Sequence, residues 1–435
     1  MITSDYHRKS INPDELQDLR GIADVGISDI KLDEYPNLLV FPDSFETYDR
    51  DFGRKVICHV ENEGKELCTN SIIGFIGRND THLSIHSRFA NDGDNDYFVH
   101  YMLQRIAKIN LFNLHHTMDE DSVFDFLIYL FPMYLKNAVN RGIYKQYVFR
   151  KFNDAKLKGV VDISRHIRYN EPFGGNVAYT TREYSYDNDI TQLIRHTIEF
   201  IRRYKGCDIL TGDADTELAV AQIVGATPSY VANERIAVIN RNLRPITHPY
   251  YSEYTRLQCL CLQILRHEEL KYGQQENDIY GVLIDAAWLW EEYLAVLLDG
   301  RYNHYVKDRG KRFYLFEDGQ QIIPDYLSAD GKIVADAKYI PLDKEQWYGE
   351  EKALAIYYKT ITYMYRFCTH KSYLFYPHPD NDIEMSRMKI KSVQEGVNGG
   401  TITKVGLRIP QGCDSYASFC SRIHRYEQEF LNKLD

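Results

Sequence analysis

The sequence contains no G-x-x-x-x-G-K-[ST] phosphate loop and no G-x-G-x-x-G turn. A nucleoside triphosphate used by its system would therefore have to be handled by another protein. Its eight cysteines (58, 68, 207, 259, 261, 368, 413 and 420) form no CxxC pair and no zinc-like spacing. That pattern fits free thiols in a reducing cytoplasm. No apolar run is long enough to cross a bilayer; the most apolar stretch, "FDFLIYLFPMYL", is short and carries a proline. The opening "MITSDYHRKS" is polar, unlike a signal peptide. A cytoplasmic location with no membrane partner is the expectation. Net positive charge is also missing: the formal charge is −10. This excludes a surface coated in nucleic acid throughout, but leaves room for a local basic groove. There are no internal repeats and no low-complexity tract.

What is present is 435 residues, 44% apolar and 26% charged, a composition of folded domains and too long for one ordinary core. Residues 1–110 are β-rich, with "NSIIGFIGRNDTHLSIHSRF" alternating on both sides of Asn79-Asp80 as in a hairpin. Residues 111–250 are mainly helical by apolar spacing, with "DNDITQLIRHTIEFIRRY" as one long helix and "YYSEYTRLQCLCLQILRHEEL" as another just beyond. "RNLRPITHPY", with two prolines, suits a connection between domains. Residues 251–435 alternate helix, strands and helix, from "DAAWLWEEYLAVLLDG" to "EEKALAIYYKTITYMYRF", as a compact α/β unit does. The expected fold is α/β and α+β, in several domains.

Between residues 141 and 170, eight Lys/Arg stand against two acids, with Tyr144, Tyr147, Phe149, Phe152 and Tyr169 interleaved. Arg150, Lys151, Lys156 and Lys158 are candidates for contact with a phosphate backbone; a solvated face paired with acids elsewhere is the alternative. "HHTMDED", with His115, His116, Asp119 and Asp121, looks at first like a metal site. Adjacent histidines diverge on helix or strand alike, so an acidic helix terminus suits it better.

The densest chemistry lies in "IIPDYLSADGKIVADAKYI", residues 322–340. With Asp330-Gly331 as a two-residue hairpin loop, Asp325 falls directly opposite Asp336. Facing residues hold their β-carbons about 4.5–5.5 Å apart, and like charges there destabilise a sheet. Lys338 shares the face of Asp336, while Ala335, Ala337 and Tyr339 point away. A divalent cation such as Mg²⁺, which takes oxygen ligands and commonly one or two carboxylates, would let both acids stay charged. Such an ion polarises a phosphoryl oxygen and acidifies water. A plain surface hairpin explains "DGK" but not the apolar, small-residue "VADAKYI".

"PD", ten residues, then "DAK" resembles the PD-(D/E)xK nuclease core, with Asp325, Asp336 and Lys338 in its named positions. "LWEEYLAVLL" is similar to the "F-E-x-Y" helix of McrC-type restriction subunits, which places Trp290 at the aromatic position and Glu291 at the acidic one. Helical spacing alone leaves Glu291 and Glu292 equivalent. Lys359 and Tyr363 stand where related nucleases carry Q-x-x-x-Y, with lysine in place of glutamine, and are possible DNA contacts; core packing is the alternative for Tyr363. "IIGFIGRNDTHLSIHSRF", "GIYKQYV…LKGVVDISRHIRYNEPF" and "REYSYDNDITQLIRHTIEFI" resemble the N-terminal and middle parts of the McrC family in its order.

The resemblance implies a C-terminal PD-(D/E)xK restriction-endonuclease-like domain and an N-terminal partner-binding domain. It implies Mg²⁺-dependent hydrolysis of double-stranded, modified DNA, with Asp325, Asp336 and Glu291 at the metal and Lys338 orienting the nucleophile. It also implies a McrB-like AAA+ GTPase partner, which binds GTP in place of this chain and whose hydrolysis the chain stimulates. Arg50, Arg54 or Lys55 would suit that stimulation. A nuclease-inactive regulatory subunit and a stand-alone endonuclease are the alternatives.

Overall fold

Alternating apolar residues in "IIGFIGR" and "THLSIH" make two strands that each bury one face. The computed structural model describes residues 1–11, 38–41, 56–62, 65–78, 81–90, 96–107, 120–205, 208–248, 250–266, 279–305, 313–317, 319–342, 349–379, 385–391 and 399–434. The two strands pair antiparallel with Arg78 opposite Thr81 and Gly77 opposite His82, the register expected for a hairpin across 79–80.

The chain divides into two units, one formed by Met1–Asp125 with Leu270–Asp435 and the other by Phe126–Glu269. The first unit holds a five-stranded sheet of β1 (Ile2–Ser4), β7 (Thr81–His86), β6 (Ile72–Arg78), β11 (Ile279–Asp285) and β3 (Leu38–Phe41), in that spatial order. Strand β11 runs antiparallel to β6 and parallel to β3, and Leu283 packs with Ile72, Ile76, Leu83 and Ile85. A boundary at residue 110 is thereby corrected: the N-terminal sheet is completed by a strand from the C-terminal part, so the two share a core. Two glycines permit that pairing. A β-carbon on Gly74 would lie 2.0 Å from the Val282 carbonyl oxygen, and one on Gly281 2.2 Å from that of Phe75, both at positive φ. A small sheet of β2 (Arg8–Ser10), β5 (Glu66–Thr69) and β4 (Cys58–Glu61) adjoins in sequence.

The same unit holds a six-stranded sheet in the order β12 (Tyr302–His304), β15 (Tyr326–Ser328), β16 (Ile333–Ala337), β17 (Lys371–Pro379), β19 (Thr401–Ile409), β18 (Ser386–Lys389). The three central strands are parallel. Such strands are buried on both faces and read as near-continuous apolar runs, as "YLFYPH" and "VGLRI" do. A β13 (Tyr314–Phe316) and β14 (Gly319–Gln321) pair stands apart. Helices α1 (Tyr97–Ala107), α8 (Ala286–Leu297), α9 (Glu350–Arg366) and α10 (Tyr416–Asn432) belong to this unit. Buried Glu427 of α10 accepts from Tyr101 of α1 (2.8 Å) and Tyr293 of α8 (2.7 Å), tying three helices at one carboxylate.

The second unit begins within α2 (Glu120–Asn140) and carries a three-stranded sheet of β8 (Gln146–Asp154), β10 (Val177–Ser185) and β9 (Val160–Val161), with α3 (Ile163–Asn170) against β10. Its central helix α4 (Asp189–Lys205) buries Ile190, Leu193, Ile194, Ile198 and Ile201, the i, i+3, i+4 stripe read in its sequence. Helices α5 (Ala214–Ala226), α6 (Arg235–Arg241) and α7 (Ser252–Leu265) pack around it. "RNLRPITHPY" therefore runs inside this unit and does not join domains. Its backbone groups are taken up by Gln258, which accepts from Ile246 N–H (2.9 Å) and donates to the carbonyls of Asn242 (2.8 Å) and Arg244 (3.0 Å).

Candidate active site

Strands β15 and β16 pair antiparallel, Tyr326 with Ala335 and Leu327 with Val334. This is the register inferred from the sequence. The loop is wider than expected, however, and spans Ala329–Lys332. Ser328 explains it: its hydroxyl donates to Asp330 (2.7 Å) and accepts from the backbone of Lys332 (3.1 Å) and Ile333 (2.9 Å). Gly331, at φ 71°, turns the chain back. Because the four-residue loop is centred where the two-residue loop would be, the pairing is unchanged.

Asp325 sits just before β15, and its Oδ2 accepts the N–H of Ala337 at 2.7 Å. That bond holds it across the hairpin beside Asp336. Asp336 is 2% exposed. The Lys338 ammonium, itself buried, lies against its Oδ2 as an ion pair. The two acids respond in opposite directions. Burial pushes the Asp325 carboxyl well above its usual range, and the charges of Asp336 and Glu291 push it further. Burial also opposes ionisation of Asp336, but the Lys338 and Lys359 ammoniums outweigh it and hold its pKa down at about 2.

Helix α8 starts on Asp285, whose side chain accepts the Ala287 N–H (2.9 Å). Trp290 is fully buried and donates from Nε1 to the Phe375 carbonyl on β17 (3.3 Å), which fixes the helix to the sheet. One residue on, the Glu291 carboxylate meets His304 Nε2 at 3.0 Å. His304 stacks on Tyr326, centroids 5.2 Å apart, and the Tyr326 hydroxyl donates to the Glu291 carbonyl. Burial works against a charged His304, yet the bond to Glu291 raises its pKa above the usual value. Of the two glutamates left equivalent by helical spacing, Glu291 is the one whose charge bears on Asp325. Its carboxylate is engaged by His304. Among the described residues, no three His, Cys, Asp or Glu side chains gather as a ready cation cage.

Lys359 joins the site through its charge, felt by both aspartates, and its Nζ lies 5.7 Å from the Tyr363 ring centre. Tyr363 is different: it is 4% exposed, packs with Val334, Ile356 and Leu374, and donates its hydroxyl to the Ile323 carbonyl (2.8 Å). This is the core-packing reading of Tyr363. Two side chains with a place here had no signal in the sequence. His304 is one. Lys404 is the other, buried in the register row Asp336–Leu374–Lys404 and donating to the Leu342 carbonyl (2.9 Å). Each depends on pairing between distant strands.

The basic segment lies in the second unit. Arg150 is committed to Glu183, Ser185 and Asp187, each at 3.5 Å, so it is not a free phosphate contact. Lys151, Lys156 and Lys158 are exposed. Lys151 shares the exposed face of β8 with Tyr147 and Phe149, next to Tyr184 and Arg182 of β10. Arg50, Arg54, Lys55, His115, His116 and Asp119 lie outside the described residues, as does the side chain of Asp121.

The donors at the acid pair suit a hard divalent ion. They are carboxylate oxygens of two acids buried side by side, a costly crowding of like charge that an oxygen-seeking cation would relieve. The fold that carries them is mixed α/β, with a parallel-centred sheet presenting acids at one hairpin. The family match extends this to kinship: the chain belongs to the family of the McrBC 5-methylcytosine restriction system component, whose model matches residues 67–377. No curated protein sequence matches it. Among solved structures, it is similar to a refined half-complex from a tetradecameric assembly of Thermococcus gammatolerans McrB AAA+ hexamers with bound McrC. Identity there is 16%, all of both chains is covered, and the TM-score is 0.46. A cryo-EM structure of the McrBC complex from the same organism matches 72% of this chain and 89% of its own at 16% identity, TM-score 0.30. Similarity at this level carries no functional argument; membership rests on the family match.

Proposed function

We propose that the chain is the DNA-cutting subunit of a McrBC-type restriction system, hydrolysing phosphodiester bonds with Mg²⁺ alongside an AAA+ GTPase partner. The observation that carries this is the buried Asp336 carboxylate, with the Lys338 ammonium against it and Asp325 across the hairpin. Asp325 and Asp336 would hold the ion, which when bound supplies charge to polarise a phosphoryl oxygen and acidify a water. Glu291, released from His304, would complete the donors directly or through water. Lys338 orients the attacking water and meets charge growing on the phosphate. Lys359, on the helix over the sheet, faces the same charge. Lys151, Lys156 and Lys158 would grip the DNA backbone, which in this family's systems carries modified bases. The absence of a phosphate loop supports assigning GTP to the partner, whose hydrolysis the chain would stimulate, in the cytoplasm.

The test is DNA cleavage by Asp336→Ala and Lys338→Ala, with partner, nucleotide and Mg²⁺ each omitted in turn. Both variants are expected to lose cutting by roughly a hundredfold or more while stimulating the partner normally. Full cutting by either folded variant would remove the assignment. GTPase stimulation without cutting by the unaltered chain would leave a regulatory subunit, and cutting without partner or GTP a stand-alone enzyme.

A further inference from the structure

Lys338 stands just beyond the end of β16, where the ladder has almost finished: its N–H donates to the Phe375 carbonyl (2.8 Å), and the chain then leaves the sheet. What fixes the next residue comes from far away in sequence. Arg88, after β7, donates from one guanidinium nitrogen to the Tyr339 carbonyl and from the other to Asp5 Oδ2 (2.7 Å). Asp5 is fully buried and also accepts the Arg88 backbone N–H, so the arginine is clamped at both ends of its own residue. The guanidinium lies 4.3 Å from the Tyr339 ring centre, 4.6 Å from that of Phe89 and 5.2 Å from that of Tyr6. Tyr339 is held a second time, its hydroxyl 3.3 Å from Ser87 Oγ, and Ser87 N–H donates to buried Asp96 (2.7 Å).

A purely structural arginine needs none of this fork. A charge in a buried pair is satisfied by Asp5 alone, and three aromatic faces would pack against any large apolar group. The second arm goes to the one carbonyl that follows the lysine. We propose that Arg88 is a positioning residue for Lys338: with Asp5 and Ser87 it locks Tyr339, and so sets where the ammonium meets Asp336 and the scissile phosphate. This rests on the nuclease role of Lys338. A guanidinium spans two acceptors with a rigid planar fork, whereas a lysine ammonium is a single point. Misplacing a reacting group by about 1 Å costs up to roughly a hundredfold in rate.

The test uses Arg88→Lys, which keeps the charge beside Asp5 and loses the second arm. Asp5→Asn, which loosens the clamp isosterically, serves if Arg88→Lys does not fold. Amide hydrogen exchange is followed at 338–340 and, as a reference, in β6 and β7. Cleavage is measured in the complex with partner and Mg²⁺. Exchange at 338–340 should rise about tenfold or more with the reference strands unchanged, while kcat falls at least about tenfold and KM stays within about twofold. Unchanged exchange at 338–340, or an equal rise in all segments, would overturn the proposal. So would faster local exchange with unaltered kcat. If the unaltered chain does not cut at all, the nuclease reading fails, and exchange alone decides whether Arg88 holds the segment.

Discussion

The two units treat charge in opposite ways. In the first, charges are sunk in the core: Asp5 with Arg88, Asp336 with Lys338, Asp96 beneath Ser87, and Glu427 among tyrosines. In the second, several ion-pairing arginines lie nearer the surface, as with Arg150 (side chain 36% exposed) and Arg241 (44%), and a sheet face of aromatic and basic residues stays open. Buried charges are costly unless paired with good geometry, so a unit that keeps several has its side chains fixed by them. Exposed charges fix little and remain available to a partner. Under the proposed function, chemistry falls to the first unit and DNA contact to the second.

The sharpest way to break this comparison is to delete one cation from each unit. In Mg²⁺-free buffer, Lys338→Met leaves Asp336 without its nearest counter-charge and should cost roughly 3 kcal/mol at neutral pH, whereas Arg150→Met should cost below about 1 kcal/mol. Urea unfolding followed by far-UV circular dichroism measures both, and tryptophan fluorescence separates the first unit's share. All three tryptophans (288, 290 and 347) fall in the first unit, so their fluorescence reports that unit alone. Equal costs would erase the distinction.

A second test concerns DNA. Replacing Lys151, Lys156 and Lys158 together by glutamine should weaken binding of any sequence alike and flatten the slope of log affinity against log salt by about three. Titrations at several salt concentrations measure this, and an unchanged slope would return the segment to a solvated face.

The last test is of pH dependence, where the change per pH unit is small and its sign should differ between units. Burial raises Asp96 to about 7. A carboxyl that binds its proton more tightly when folded loses stability as pH rises, here from about 4 to 7. In the second unit, burial, with help from Arg235, Arg195 and Arg241, lowers His196 to about 4. Stability there is lost in the other direction, as pH falls from about 6.5 to 4. Each slope is at most about 1.4 kcal/mol per pH unit. Tryptophan fluorescence against far-UV circular dichroism, across pH 5 to 7, should show the two trends diverging; parallel trends would contradict them.

Local pattern carried much of this molecule. The stripe of α4, the hairpin around 79–80 and the facing of Asp325 and Asp336 follow from spacing and turn residues close by. What escaped lies in pairing across long separations. Strand β11 joins β6 some two hundred positions away, so residues 1–110 looked self-contained. Glycines 74 and 281, each inside an apolar strand, were the available sign of two backbones in close approach. His304 gave none, since a histidine in a short polar strand is ordinary until Tyr326 and Glu291 are beside it. Ser328 widened the hairpin loop without moving its centre, so a wrong turn still yielded the right register.

The central claim is that the acid pair at 325 and 336 holds a hard ion, and calorimetric titration of Mg²⁺ into the chain without DNA or partner tests it most directly. One binding event that disappears in folded Asp336→Asn is the expected result. Binding of equal strength in that variant, or none in the unaltered chain, would contradict it.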